Sequence, residues 1–357
     1  MATLFVTSTQ PLSGKTALCA SLGSRLISEG LKIGYVKALT TQVTQVEDRL
    51  VDDDVVFMRD VLDLGQTWEA LSPVSLTDVE MRGVIEGRGN PHPDRLKAAL
   101  SVAGKGRDLL LVEGAGSPLT GSLVGLSAKQ VAQLTGGTVL LVARYEGPAT
   151  ADQVLGAVEA LSSSPMGVVI SAVPAEAEDF VRNTLAPFLG ANGVPVLGIL
   201  PEERILMAPT VGELAEYLDG DFLRGSEKAD DLVEGFLLGA LSTDYMQDYY
   251  NRRSNVAVIT SAEKTDIQLF SMTPNTRCLI LTGYRRPTEL VMAQAAEHGI
   301  PVVMVKEDTL TVAEKVESLF ANVRFHQRRK LPVMAEAIET GLDLPAIYDG
   351  LGLKAKV

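Results

Sequence analysis

Ser8-Thr9-Gln10-Pro11-Leu12-Ser13-Gly14-Lys15-Thr16 joins the compact apolar run Ala2–Thr7 to Ala17–Glu29, a stretch that reads as a helix ending near Gly30. A Gly-Lys-Thr at a helix N-terminus offers backbone N–H groups and the helix dipole to phosphate oxygens. The lysine neutralises phosphate charge, and the threonine hydroxyl reaches Mg²⁺. The ordinary phosphate-loop spacing puts glycine at position 9, and Thr9 stands there instead. The competing reading is a plain strand-to-helix turn, with Gly14 for backbone freedom and Lys15 solvated. A strand before the loop and a helix after it favour the nucleotide. Thr9, Ser13, Gly14, Lys15, Thr16 and Ala17 are therefore the candidate nucleotide-binding residues.

Outward from the loop, short apolar runs recur at Lys32–Val36, Asp108–Val112, Thr138–Ala143, Gly167–Ile170 and Val194–Leu200. Enough residues separate each from the next to form a helix. Continuous apolar strands alternating with helices predict a parallel sheet covered on both faces. The fold class expected is α/β, a doubly wound parallel sheet of P-loop NTPase type over residues 1–205. Leu218–Asp231, with Gly220, Gly225 and several acids, reads as a linker, so 206–230 is expected to connect two domains. The pattern then restarts with strand candidates Val256–Thr260, Cys278–Thr282 and Pro301–Val305. Helix candidates are Glu289–His298 and Thr311–Phe320, the latter preceded by Asp308 and Thr309 as N-caps. This predicts a second, smaller α/β domain over 231–323 and a helical tail over 324–357, which begins with a basic patch, Arg324–Lys330.

Two further elements point at the same chemistry. Asp108-Leu-Leu-Leu-Val-Glu113-Gly114-Ala115-Gly116 places an acid after a buried strand, at the carboxyl edge where open α/β sheets bind ligands. Glu113 is thus a candidate Mg²⁺ ligand, the bland alternative being an acid that simply ends a strand. Lys37 closes the run Ile33–Val36 and would point toward the phosphates. In Asp52-Asp53-Asp54, a carboxylate could complete a hard-cation site, although charge runs are more often solvated surface.

Composition limits the remaining classes. Basic residues number 32 and acidic residues 45, a net charge of −13, which disfavours nucleic acid and anionic membranes as partners. No apolar run approaches the roughly 20 residues that span a bilayer. The start Met-Ala-Thr-Leu-Phe-Val lacks signal-peptide features, so a soluble cytoplasmic protein is expected. Cys19 and Cys278 have no metal-site spacing, and a buried apolar thiol is expected of Cys19. His92, His298 and His326 are read as structural or surface, and Phe57, Met58 and Trp68 as core or interface. Tyr245, Tyr249 and Tyr250 are read as an inter-domain or dimer surface.

Taken together, the residues resemble the dethiobiotin synthetase-type P-loop family, which also includes cobyrinic acid diamide synthases. The loop Ser8–Thr16 matches that family's longer phosphate-loop spacing, and Lys37 and Glu113–Gly116 match its second lysine and acidic turn. The chain is more closely similar to the N-terminal module of long bacterial phosphotransacetylases, followed by a DRTGG domain. Pro195–Arg204 and Met207–Leu214 resemble the end of that module. Ala257–Thr260, Leu279–Gly283 with Pro287, and Ile300–Val305 with Asp308 and Thr309 resemble the DRTGG domain. The resemblance implies ATP and Mg²⁺ as cofactors, with Lys15 and Lys37 as catalytic cations. It implies Thr16, Asp54 and Glu113 as metal ligands, adenine recognition near Ser171 and Pro201, and a homodimer.

The chain also departs from the family pattern. Ser171 replaces the asparagine that contacts adenine, Ala38 replaces a proline, and Leu39-Thr40 does not repeat the substrate loop. Ser261–Lys264 replaces the glycine-rich DRTGG signature. Acetyl transfer from these residues alone is not expected. Three functional expectations follow. One is an Mg-ATP-binding regulatory module that acts on an unknown small-molecule or protein partner. Another is a carboxylate-activating, ATP-dependent ligase of the dethiobiotin or cobyrinic acid diamide type. A partner-binding module that has lost its nucleotide is the third reading.

Overall fold

The structure, a computed structural model, describes residues 1–46, 49–88, 92–239 and 253–353. They form two compact units, one of Met1–Glu203 with Phe325–Val357 and the other of Arg204–Arg324. Among the described residues, no helix is long and apolar enough to cross a membrane.

The first unit is built on β1 (Ala2–Ser8), β2 (Ile33–Lys37), β3 (Leu109–Glu113), β4 (Thr138–Arg144), β5 (Gly167–Val173) and β6 (Val196–Pro201). They form one parallel sheet in the spatial order β2-β3-β1-β4-β5-β6. The apolar run of β3 is explained by burial on both faces. Leu110 and Val112 join a core that also holds Leu96 of α3 (His92–Gly104) and Val131 of α4 (Ala128–Thr135). Leu111 faces the other way, toward α1 (Lys15–Ser28), where a side chain at Gly23 would meet it at 3.2 Å. Helix α1 begins at Lys15, two residues earlier than the periodicity predicts. Gly14 caps it at φ 90°, a left-handed conformation that glycine adopts without a Cβ clash. Helix α5 (Ala149–Leu161) covers β4 and β5.

Register fixes what stands at the carboxyl edge. Glu113 pairs with Lys37 on one side and with Val6 on the other. The ends of β1, β2 and β3 therefore bring Ser8, Lys37 and Glu113 to one edge of the sheet.

The second unit holds β7 (Asp221–Arg224), β8 (Gly235–Leu238), β9 (Val256–Ser261), β10 (Thr276–Thr282) and β11 (Val302–Met304), in the order β8-β9-β10-β11-β7. All pair in parallel except β7, which lies antiparallel on β11. One face packs under α6 (Val211–Tyr217) and α9 (Thr309–Ala321), the other under α7 (Thr265–Phe270) and α8 (Glu289–Glu297). Asp308 caps α9, as its position predicts, by accepting from Leu310 N at 3.0 Å.

Residues 206–230, expected as a linker, instead carry α6 and β7 inside this second unit. A capping box starts the helix: Glu213 N donates to Thr210 Oγ1 at 3.1 Å, and Thr210 N donates to Glu213 Oε2 at 2.6 Å. Val211, Leu214, Ala215 and Leu218 are buried beneath it. Gly220 and Gly225, which suggested a linker, are the turns that flank β7. Tyr245, Tyr249 and Tyr250 lie outside the described residues.

The tail belongs to the first unit. Helices α10 (Leu331–Gly341) and α11 (Leu344–Leu351) follow Phe325, and α10 packs on α1 and β6. Leu342 bridges antiparallel to Gly198 on the edge strand β6, and Asp343 N donates to Leu197 O at 2.8 Å. The approach is so close that a Cβ at Gly198 would lie 2.2 Å from Leu342 Cδ2. The tail thus covers an edge that would otherwise expose unpaired backbone.

Candidate functional site

At the carboxyl edge the chain leaves β1 at Ser8 and folds into a loop tied to itself. Ser8 Oγ donates to Gln10 O at 2.8 Å, and Ser13 Oγ donates to the same carbonyl at 2.7 Å. Thr9 N reaches Val142 O at 3.1 Å, and Ser171 Oγ at the end of β5 donates to Ser13 O at 2.8 Å. Lys15 lies under this loop, 7% exposed. Among the described residues, its ammonium donates one hydrogen bond, to Ser8 Oγ at 2.9 Å. Burial pulls its pKa below the ordinary lysine value, and the nearby Glu113 carboxylate opposes that shift. Among the described residues, the buried Thr9 hydroxyl of the same loop has no hydrogen-bond partner. A buried ammonium with protons to spare is a receptor for an anion.

A second cluster faces Lys15. Glu113 is 1% exposed, and each of its oxygens has a separate partner. Thr16 Oγ1 donates to Oε1 at 2.8 Å, and the Tyr35 hydroxyl donates to Oε2 at 2.9 Å. Lys37 Nζ stands 3.8 Å from Glu113 Oε1 and 2.9 Å from Asp52 Oδ2, and it is hydrogen-bonded to Asp54 Oδ2. Lys37, Asp52 and Asp54 are all buried. Asp52 also caps α2 (Asp53–Val61), because its Oδ1 accepts from Asp54 N at 2.9 Å. Burial raises the Glu113 pKa, and Lys37 works against the rise. Burial, reinforced by Glu113, likewise keeps the Tyr35 phenol protonated well above its usual range.

Among the described residues, no three His, Cys, Asp or Glu side chains are arranged to hold a metal ion by themselves. Mg²⁺ does not require that, because it keeps several waters and takes one or two carboxylates beside substrate phosphates. A hydroxyl and two carboxylates, of Thr16, Asp54 and Glu113, meet at this edge: Thr16 bonds Glu113, and the Lys37 ammonium lies against both acids. Among the described residues, the carboxylates of Asp52, Asp54 and Glu113 face the ammonium groups of Lys15 and Lys37, a charge balance compatible with a divalent cation.

The structure gathers Ser13, Gly14, Lys15, Thr16, Lys37, Asp54, Glu113 and Ser171 at one edge, with Thr9 in the loop and Ala17 buried in the first turn of α1. Pro201 is exposed at the carboxyl end of β6, paired with Val173 on the strand that carries Ser171. Sequence reasoning missed Tyr35, although a residue two before Lys37 on a strand shares its face. It also left Asp52 as one member of an acidic run, and the structure gives Asp52 both the helix cap and the Lys37 ion pair. Cys19 and Cys278 are buried free thiols, and burial pushes Cys278 up to about 12. His92 is buried, and Arg59 stacks over Trp68 at 4.2 Å from the ring centre. A cleft of ≈ 620 Å³ is lined by Met1, Gly30, Arg107 and Leu353, away from this edge.

Residues 2–210 match the model of a family described as an AAA domain, and residues 213–319 match that of the DRTGG domain. The chain is 22% identical over 363 residues to the phosphate acetyltransferase of Nitratidesulfovibrio vulgaris, covering 95% of this chain and 50% of that protein. It therefore spans half the length of that relative. It is 26% identical over 229 residues to the ATP-dependent dethiobiotin synthetase BioD of Thermodesulfovibrio yellowstonii, covering 59% of this chain and 93% of that protein. Among solved structures, the signal recognition particle receptor FtsY of Elizabethkingia anophelis in complex with GDP is similar at 14% identity and a TM-score of 0.37, over 57% of each chain.

Proposed function

The chain belongs to that AAA domain family, with a DRTGG domain following, and from this premise we propose that its first unit binds ATP with Mg²⁺ at the loop Ser8–Thr16. The buried Lys15 ammonium, whose hydrogen bond goes to Ser8, carries the reading. A polyphosphate would accept the protons that the Lys15 ammonium does not give to Ser8, and the N–H groups at the start of α1 would receive its oxygens. Thr16, Asp54 and Glu113 would hold Mg²⁺, which when bound neutralises charge between the phosphates. Lys37 adds a second cation beside the same edge.

In this proposal the chain is a nucleotide-responsive module related to phosphotransacetylases, acting on a small-molecule or protein partner. The phosphate acetyltransferase likeness supports it, because it runs through both units. Acetyl transfer itself is not carried over to these residues. The second reading, ATP-dependent activation of a carboxylate, draws on the likeness of the first unit to a dethiobiotin synthetase and on Lys37 beside the loop.

Calorimetric titration of ATP, ADP and GTP with Mg²⁺ tests the binding. Micromolar affinity that Lys15→Ala abolishes is the expected result. Absence of binding by every nucleotide would overturn the reading. Phosphate release that rises with an added carboxylic acid would favour the ligase over the regulatory module.

A further inference from the structure

Lys37 lies among the acids that the proposed cation would use. Its ammonium is bonded to Asp54 and stands 3.8 Å from Glu113 Oε1, the oxygen that already accepts from Thr16. An ammonium and a divalent cation compete for these oxygens in a buried site, because like charges repel most where the dielectric is low. A cation entering between Thr16, Asp54 and Glu113 weakens the hold of Asp54 and Glu113 on Lys37. The ammonium is then best held by a carboxylate that keeps its place, since weakening the pairing of a buried charge is costly.

Asp52 meets that need. Its Oδ2 lies 2.9 Å from Lys37 Nζ, and it is 1% exposed. Its other oxygen is fixed by the cap bond from Asp54 N at 2.9 Å, so the carboxylate is held in place by helix α2. We propose that Asp52 is a positioning residue which retains Lys37 while a divalent cation exchanges for it at Asp54 and Glu113. Lys37 is the occupant of the cation site before loading and the ion-pair partner of Asp52 afterwards. This deepens the nucleotide reading and rests on it.

The test is a titration of Mn²⁺ into the full chain without nucleotide, followed by electron paramagnetic resonance, on wild type and three variants. Asp52→Asn keeps an oxygen for the helix cap and loses the charge that retains Lys37, so Mn²⁺ affinity is expected to fall about tenfold. Lys37→Met removes the competitor, and affinity is expected to rise about tenfold. A simple sum of charges predicts the same two signs, so the double variant decides. If Asp52 acts through Lys37, Asp52→Asn costs less than about threefold in the Lys37→Met background. An equal cost in both backgrounds overturns the proposal. Should Lys37→Met fail to fold, Mn²⁺ affinity unchanged by Asp52→Asn overturns it alone. Mg-ATP binding that depends on Lys15 but coexists with such a result leaves the nucleotide reading standing. Absence of both Mn²⁺ and nucleotide binding in wild type overturns both.

Discussion

The Tyr35 hydroxyl and Glu113 Oε2, 78 residues apart in sequence, meet at 2.9 Å inside the sheet edge. Tyr35 is fully buried and keeps its proton well beyond the ordinary phenol range. It is therefore a permanent donor that fixes one oxygen of the carboxylate and leaves the other to Thr16 and Lys37. Tyr35→Phe removes the donor and leaves a buried oxygen unsatisfied. A loss of about 1–3 kcal/mol in urea unfolding is expected. An unchanged midpoint would show that Glu113 finds another donor.

Ser171 ties the phosphate loop to β5 through its 2.8 Å bond to Ser13 O. Its one hydroxyl proton is spent there. Ser171→Ala is expected to cost about 0.5–1.5 kcal/mol of stability. Calorimetry should also show weaker nucleotide binding, through a looser loop. Unaltered affinity would show that the other loop bonds suffice.

The tail is anchored to α2 by two contacts of different kind. Phe325 packs edge-on against Phe57, ring centres 5.6 Å apart, and both are buried. Arg328 pairs with Asp60 at 2.5 Å, but each side chain is 61% exposed. Burial outweighs exposed charge, so Phe325→Ala should cost about 3 kcal/mol and Arg328→Ala far less. The Arg328 hydrogen bond holds the Asp60 carboxyl below its usual pKa. Its stabilisation is therefore present above the ordinary carboxylate value and is lost as pH falls through the depressed one. Unfolding of wild type and Arg328→Ala should differ at neutral pH and converge in acid.

Gly341 offers a sharper probe of the tail's seat on β6. An added Cβ would lie 2.6 Å from the Ile199 carbonyl oxygen, a backbone atom that cannot swing aside. Gly341→Ala should cost about 1–3 kcal/mol by overpacking. A silent substitution in thermal unfolding would show that the tail can leave β6 without loss.

The sequence carried the local elements because each is written in neighbouring residues. Apolar runs marked the strands of the first sheet, the Gly-Lys-Thr loop marked its first turn, and Glu113 followed a strand that had to end at the ligand edge. Where a polar stretch hid short elements, the reading failed. The helix Val211–Tyr217 spans only 7 residues and β7 only 4, too few for a period to stand out among glycines and acids.

What sequence alone determined was thus the doubly wound sheet, its phosphate loop and the second α/β domain, since turn chemistry and hydrophobic period act over a few residues. Tertiary structure decided which distant groups meet. The strand order places β3 between β2 and β1, so Lys37 and Glu113 come into register. Asp52 reaches Lys37 because helix α2 begins beside that edge, and the tail returns to cover β6. These contacts join residues 15 to more than 140 positions apart, and the physical reason they escape a linear reading is that packing, not periodicity, selects them.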